Sequence, residues 1–316
     1  GFISLFAPIL VFTNGLRFLF ISYNNRYKKY KLISSIAIIR EFVRAVIQLG
    51  SGILSLGVIG QIMGYALSPL FGMHIQSKEY LKKYKERTRI NKRKIKNIIF
   101  HTGKRQILYL VPAQFINSFS VSLITISLSY LFSSATLGYY SAGARILDIP
   151  IIFITSNVSK VMYQKASESI EKKQPIFKIV FSVIMVLSIV SLLGFGVLFI
   201  IAPHITQFVF GDGYGVSGVY IRCLCIMYAV RLVATSFAGF YTVFKKQQYE
   251  LYLNLMLVVF GIVSLMISKT YDFSTVQYLW MVSIGYTITY LTMLIGYIEL
   301  CLAHDRQVRK EVNINV

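Results

Sequence analysis

The chain has 316 residues, of which 55% are hydrophobic and 14% charged, and its mean hydropathy is +0.62. A soluble domain carries about 45–50% apolar and about 25% charged residues, so the composition excludes an ordinary soluble enzyme, a disordered chain and a disulfide scaffold. Thirty-three Lys and Arg against twelve Asp and Glu give a net charge of +21. Such a charge fits nucleic acid or a membrane surface, and its distribution along the chain points to the membrane.

A helix needs about 20 apolar residues to cross a bilayer core of about 30 Å. Nine segments qualify as candidates: 2–22, 32–50, 53–74, 107–131, 136–159, 178–202, 216–243, 250–268 and 275–301. Their long Ile, Leu, Val and Phe runs lack the two-residue alternation of barrel strands. The expected class is therefore all-α, a polytopic membrane protein. Gly1 leads straight into an apolar segment with no basic leader and no small-residue cleavage site. No signal peptide is expected, and the chain reads as N-terminally incomplete.

The loops sort by charge. Loop 23–31 holds four basic residues, stretch 75–106 twelve, stretch 160–178 five, loop 244–249 two and the C-terminal tail three. The alternate loops hold one, Lys269. Lys and Arg accumulate on cytoplasmic loops, which predicts an outside N-terminus and a cytoplasmic C-terminus. The dense basic stretch reads as a cytoplasmic linker touching anionic lipid headgroups. Cys223, Cys225 and Cys301 lie in apolar segments and read as packing residues, and the four histidines make no metal set.

Six basic residues remain inside the apolar segments, all arginine: Arg17, Arg40, Arg44, Arg145, Arg222 and Arg231. An arginine near the bilayer centre costs at least about 2.5 kcal/mol, so each must face protein or water. At about 1.5 Å rise per residue, Arg44 and Arg231 lie deepest. Arg40, Arg44 and Gln48 recur every four residues and share a face, with Glu41 on its flank. Two cations with one local anion point to an anionic ligand such as a phosphate, which arginine binds bidentately. Arg145 and Asp148 are three residues apart and are expected to pair. Pro150 is expected to kink its helix. Gln114, Asn117, Ser118, Ser122, Thr125 and Ser129 form a second polar stripe, which reads equally as helix glue or cavity lining. No Ser-His-Asp pattern, HExxH, Walker loop or dinucleotide motif is present, so no enzyme, cofactor or metal is expected.

The stretch from Tyr130, with Gly138, Tyr139, Tyr140, Ser141, Ala144, Arg145, Leu147, Pro150 and a Lys160–Ser167 exit, resembles the central signature of bacterial polysaccharide-biosynthesis flippases. A second block, with Phe210, Gly211, Asp212 and Gly218, is similar to another family pattern, with Tyr214 where the family usually has Trp. The basic turn at Asn24–Lys31 also fits. These proteins belong to the multidrug/oligosaccharidyl-lipid/polysaccharide exporter superfamily.

The resemblance implies twelve helices in two six-helix lobes around a central cavity. Residues 1–76 would be the last three helices of the N-terminal lobe, 77–106 the linker, and 107–316 the complete C-terminal lobe with a short tail. It implies flipping of an undecaprenyl-pyrophosphate-linked oligosaccharide across the bacterial inner membrane for O-antigen, capsule or exopolysaccharide assembly. The cavity residues would be Arg40, Arg44 and Arg231, then Arg222 and Arg17. Gln114 and Asn117 would meet sugar, and Glu41 would modulate charge or couple an ion. Expected partners are the lipid-linked oligosaccharide, membrane lipids, and glycan polymerase or assembly proteins, with no nucleic acid. The rivals are a multidrug exporter of the same superfamily, a membrane enzyme of glycan assembly, and an inactive truncated remnant.

Overall fold

The computed structural model describes residues 6–27, 29–86, 104 and 106–314, and no strand occurs among them. The chain divides into two compact units, Gly1–Lys96 and Asn97–Val316. The protein is all-α and polytopic. Six helices among the described residues are long and apolar enough to cross a membrane, and all lie in the second unit.

In the first unit, α1 (Phe6–Arg26) and α2 (Tyr30–Ile53) fall on the first two expected segments, but neither is among the described helices apolar enough to cross a membrane. The third expected span, 53–74, is not one helix. The chain turns at Leu54–Leu56, and α3 (Gly57–Leu67) then runs only 11 residues. That is about 16 Å, half of a bilayer core. Pro69 in the following 3-10 turn supplies no backbone donor, and Gly72 at φ +80° redirects the backbone. A new helix, α4 (Met73–Glu86), follows. The start of the expected linker 77–106 is thus helical, and 87–103 lie outside the described residues. Small residues let α3 approach α2 closely: a Cβ on Gly64 would come within 2.6 Å of the Gln48 side chain. Asn24 joins α1 to α4, donating from Nδ2 to the carbonyls of Phe20 and Gln76 at 2.8 and 3.1 Å.

The second unit contains α5 (Val111–Leu131), α6 (Ser134–Glu171), α7 (Phe177–Phe210), α8 (Gly215–Thr235), the short α9 (Phe240–Val243), α10 (Gln247–Thr270) and α11 (Thr275–Ile314). A π-helical turn, Gln106–Leu110, leads into α5. Helices α6 and α11 have 38 and 40 residues. At about 57–60 Å they outrun the bilayer core, so their polar ends extend past the apolar runs that the sequence marks.

Helix α8 is the buried centre, packed on α6, α7 and α11. Residues on all its sides are buried, among them Tyr220, Ile221, Leu224 and Tyr228. Glycines set its distances. Gly143 of α6 meets Ile221 and the Ser217 carbonyl, and Gly218 lies directly against the Pro203 backbone of α7. Tyr278, Tyr286, Tyr290 and Tyr297 form a buried stripe along α11. Leu192, Leu193, Ile200 and Phe208 of α7 are exposed, as a lipid-facing surface requires.

One bond joins distant parts of the unit at the end of α7. The N-cap residue Ile176 has no capping side chain of its own. Asp305 of α11 replaces it, accepting from the backbone N–H of Ile176 at 2.8 Å and of Phe177 at 3.2 Å. A carboxylate there satisfies orphan donors and complements the helix dipole. Asp305→Ala is expected to lower stability by about 1–2 kcal/mol, with Asp305→Asn losing less. Thermal unfolding in detergent checks this, and an unchanged midpoint for the alanine variant would remove the capping role.

Candidate functional site

The arginines fall into three physical situations. On α2, Glu41 is shared by two of them. Arg40 donates to Glu41 Oε1 from Nη2 at 2.7 Å and from Nε at 3.2 Å. Arg44 forms an ion pair with Oε2 of the same carboxylate. Each oxygen of Glu41 therefore serves a different guanidinium, and the trio keeps a net positive charge. The Arg44 guanidinium also lies over the Tyr65 ring of α3, 4.9 Å from its centroid, a cation–π contact. Gln48, expected on the same face, reaches the Gln61 carbonyl of α3 at 3.4 Å.

Arg17 of α1 adds a further cation to this unit. Its Nε is buried and has no hydrogen-bond partner among the described residues. Arg17 and Arg40 line one cavity of about 200 Å³, with Gln76 and apolar walls including Phe18 and Ile36. Two guanidinium groups, one amide and apolar walls can receive an anion attached to a hydrophobic body.

Arg231 and Asp148 are the second situation. The expected Arg145–Asp148 pair does not form. Asp148 faces α8 instead, where its Oδ1 lies 3.5 Å from Arg231 Nη1, and Arg145 is exposed. The Arg231 side chain is only 19% exposed, and its guanidinium lies 5.1 Å from the Tyr228 ring centroid. A charge this buried needs its counterion, so Arg231 is a bridge between α6 and α8 as well as a candidate cation. Pro150 does not end its helix: α6 runs through it.

Arg222 is the third situation, and it departs from the cavity role expected of it. Pro203 sits inside α7 and cannot donate to the carbonyl four residues earlier, that of Phe199. Arg222 donates to that carbonyl from Nε at 2.8 Å and to the Ile200 carbonyl from Nη2 at 3.0 Å. Gly218, one turn before it, is what lets α8 come close enough. This guanidinium repairs a proline defect.

The polar stripe of α5 meets α10. Gln114 donates to Glu250 Oε1 at 3.0 Å, and Asn117 donates to Asn254 Oδ1 at 3.0 Å. Asn254 in turn donates to the Ala113 carbonyl at 3.1 Å. Gln114 and Asn117 thus each commit one amide N–H to a neighbouring helix. Glu250 is 9% exposed, and its Oε2 is buried with no partner among the described residues. Sequence reasoning passed over Glu250 because it stands at the edge of an apolar segment. Its four-residue spacing from Asn254 is the signal that marks it.

Residues 2–218 match the family model described as polysaccharide biosynthesis protein. The chain belongs to this family. The match takes in Arg17, Arg40, Glu41 and Arg44 and ends at Gly218, the contact with Pro203. No curated protein and no solved structure matches the chain. Membership suggests a role in polysaccharide assembly or export.

The repair role of Arg222 has a test. Arg222→Ala is expected to destabilise by about 1.5–3 kcal/mol, the range of hydrogen bonds to charged groups. In a Pro203→Ala background, where residue 203 regains its N–H, the loss is expected to shrink to less than half. Equal losses in both backgrounds, read from thermal unfolding, would separate Arg222 from the proline.

Proposed function

We propose that the protein is a flippase, moving an undecaprenyl-pyrophosphate-linked oligosaccharide across the bacterial inner membrane for O-antigen, capsule or exopolysaccharide assembly. The observation that carries this reading is the arginine cluster of α1 and α2: three guanidinium groups against one carboxylate, with Arg17 and Arg40 on a shared cavity. Membership of a polysaccharide biosynthesis family supports a polysaccharide precursor as the cargo. A glycan and its pyrophosphate cannot enter hydrocarbon unaided, because their polar groups would lose their hydrogen bonds to water.

In this reading the pyrophosphate displaces part of the Glu41 interaction and takes bidentate bonds from Arg40 and Arg44. Glu41 keeps these guanidinium groups oriented when no cargo is bound, and it weakens their hold so that the cargo can leave. The lipid tail stays in the bilayer while the cluster faces the two sides alternately. The basic ends at 172–178 and 245–246 and the C-terminal tail face the cytoplasm, and the partners are the lipid-linked oligosaccharide and the proteins of glycan assembly. The chain's role is transport and not catalysis. A multidrug exporter for cationic compounds would want acids in excess at such a site, the reverse of what α2 carries.

Reconstituted in liposomes with a fluorescent lipid-linked oligosaccharide, the Arg40→Ala/Arg44→Ala variant is expected to flip at least about tenfold more slowly, since each lost charge-assisted bond is worth about 1.5 kcal/mol or more. Arg222→Met, at equal protein level, is expected to flip at the normal rate. Full activity in the double variant would sink the proposal.

A further inference from the structure

A second polar cavity lies in the second unit, away from every arginine discussed above. At the end of the bundle where α5 stops and α10 turns into α11, a cleft of about 410 Å³ opens. That is within the usual range of about 300–1,000 Å³ for small-ligand sites. Its walls include Tyr130, Phe132, Ser268, Lys269, Asp272 and Phe273.

The polar groups in it are placed but not consumed. Lys269 Nζ donates to the Tyr130 hydroxyl at 2.6 Å and lies 5.0 Å from the centroid of that ring. This fixes the ammonium and leaves two of its three donors open. Asp272, three residues on, makes no ion pair or hydrogen bond among the described residues, so the two opposite charges of one short turn do not neutralise each other. Ser268 is 2% exposed, and its Oγ has no partner.

The turn itself is informative. The Phe273 N–H donates to the Ser268 carbonyl at 3.0 Å, which closes α10 with a Schellman-type cap. The residue in the left-handed position of such a cap is usually glycine. Here it is Asp272, at φ +48°. The cap does not need the carboxylate. Asp272 takes this position as Ser55, Lys173 and Lys245 do in other turns of the chain, and it places a carboxylate at the cleft mouth.

A ligand for this cleft must donate to Asp272, accept from Lys269 and lie against aromatic rings. A bare anion would leave Asp272 repelled, and a lipid tail would satisfy none of the polar groups. A polyhydroxylated ring meets both charges, because every hydroxyl both donates and accepts, and its C–H face can lie on the rings. We propose that this cleft is a sugar-binding site that takes one pyranose unit of the glycan. The inference rests on the reading that the cargo is a glycan, and it is separate from the phosphate role of α2.

The test is saturation-transfer NMR on the full chain in lipid nanodiscs, with methyl glucoside, methyl galactoside and methyl N-acetylglucosaminide as probes. Transfer to the ring protons of at least one probe is expected. Asp272→Asn and Lys269→Met are each expected to reduce it about tenfold, while Lys173→Met, in the Lys173–Glu311 pair outside the cleft, leaves it unchanged. Asparagine tolerates the left-handed region, so the first variant keeps the turn. Retained transfer in a protein that fails to flip lipid-linked glycan would reject the transport reading and keep this one. No transfer from any probe, or equal transfer in wild type and both cleft variants, would overturn the sugar site and leave Tyr130 and Phe273 as interfacial anchors.

Discussion

A guanidinium inside an apolar helix bundle must have partners for its donors. Hydrocarbon offers none, and an unpaired charge there is the most expensive group a chain can carry. Each buried arginine in this protein meets the demand differently, and the difference sorts structure from function. Arg222 is answered by backbone carbonyls that a proline has released. Arg231 is answered by a carboxylate on the neighbouring helix. Arg40 and Arg44 divide one carboxylate between them, and Arg17 has a donor left over. Arg17, Arg40 and Arg44 share a single carboxylate among the described residues, and with two of them on one cavity this group can gain from an anionic ligand.

The second unit shows how such constraints build a scaffold. Pro203 opens the hydrogen-bond ladder of α7, Gly218 brings α8 against the gap, and Arg222 fills it. From there most of α8 is buried against α6, α7 and α11, with Val219 and Ile226 left exposed. Asp305 closes the far end of α7 from α11, and the Gln114–Glu250 and Asn117–Asn254 bonds hold α5 to α10. Polar side chains therefore fix the register of helices whose apolar surfaces alone would slide.

What the sequence disclosed follows from what one helix contains. Apolar length located the six candidate spanning helices of the second unit, and it marked α1 and α2 as helices without their meeting the same apolar standard. Four-residue spacing placed Arg40, Arg44 and Glu41 together, as found. The division of 53–74 was also written locally, in Pro69 and Gly72, but hydropathy averaged over it. Contacts between helices were not legible. Asp148 is three residues from Arg145 yet pairs with Arg231, 83 positions away. Arg222 looked like a cavity residue because only the three-dimensional register brings it to the carbonyl that Pro203 frees. The bonds of Gln114 and Asn117 to α10 were hidden for the same reason.

The central claim is that Arg40 and Arg44 hold the pyrophosphate of the cargo. The most direct measurement is equilibrium binding of undecaprenyl pyrophosphate, without sugar, to the full chain in nanodiscs over a range of salt concentrations. The account predicts that Arg40→Ala/Arg44→Ala weakens binding at least about tenfold and flattens its salt dependence, while Glu41→Gln tightens it. Equal affinity and equal salt dependence in wild type and the double variant would contradict it.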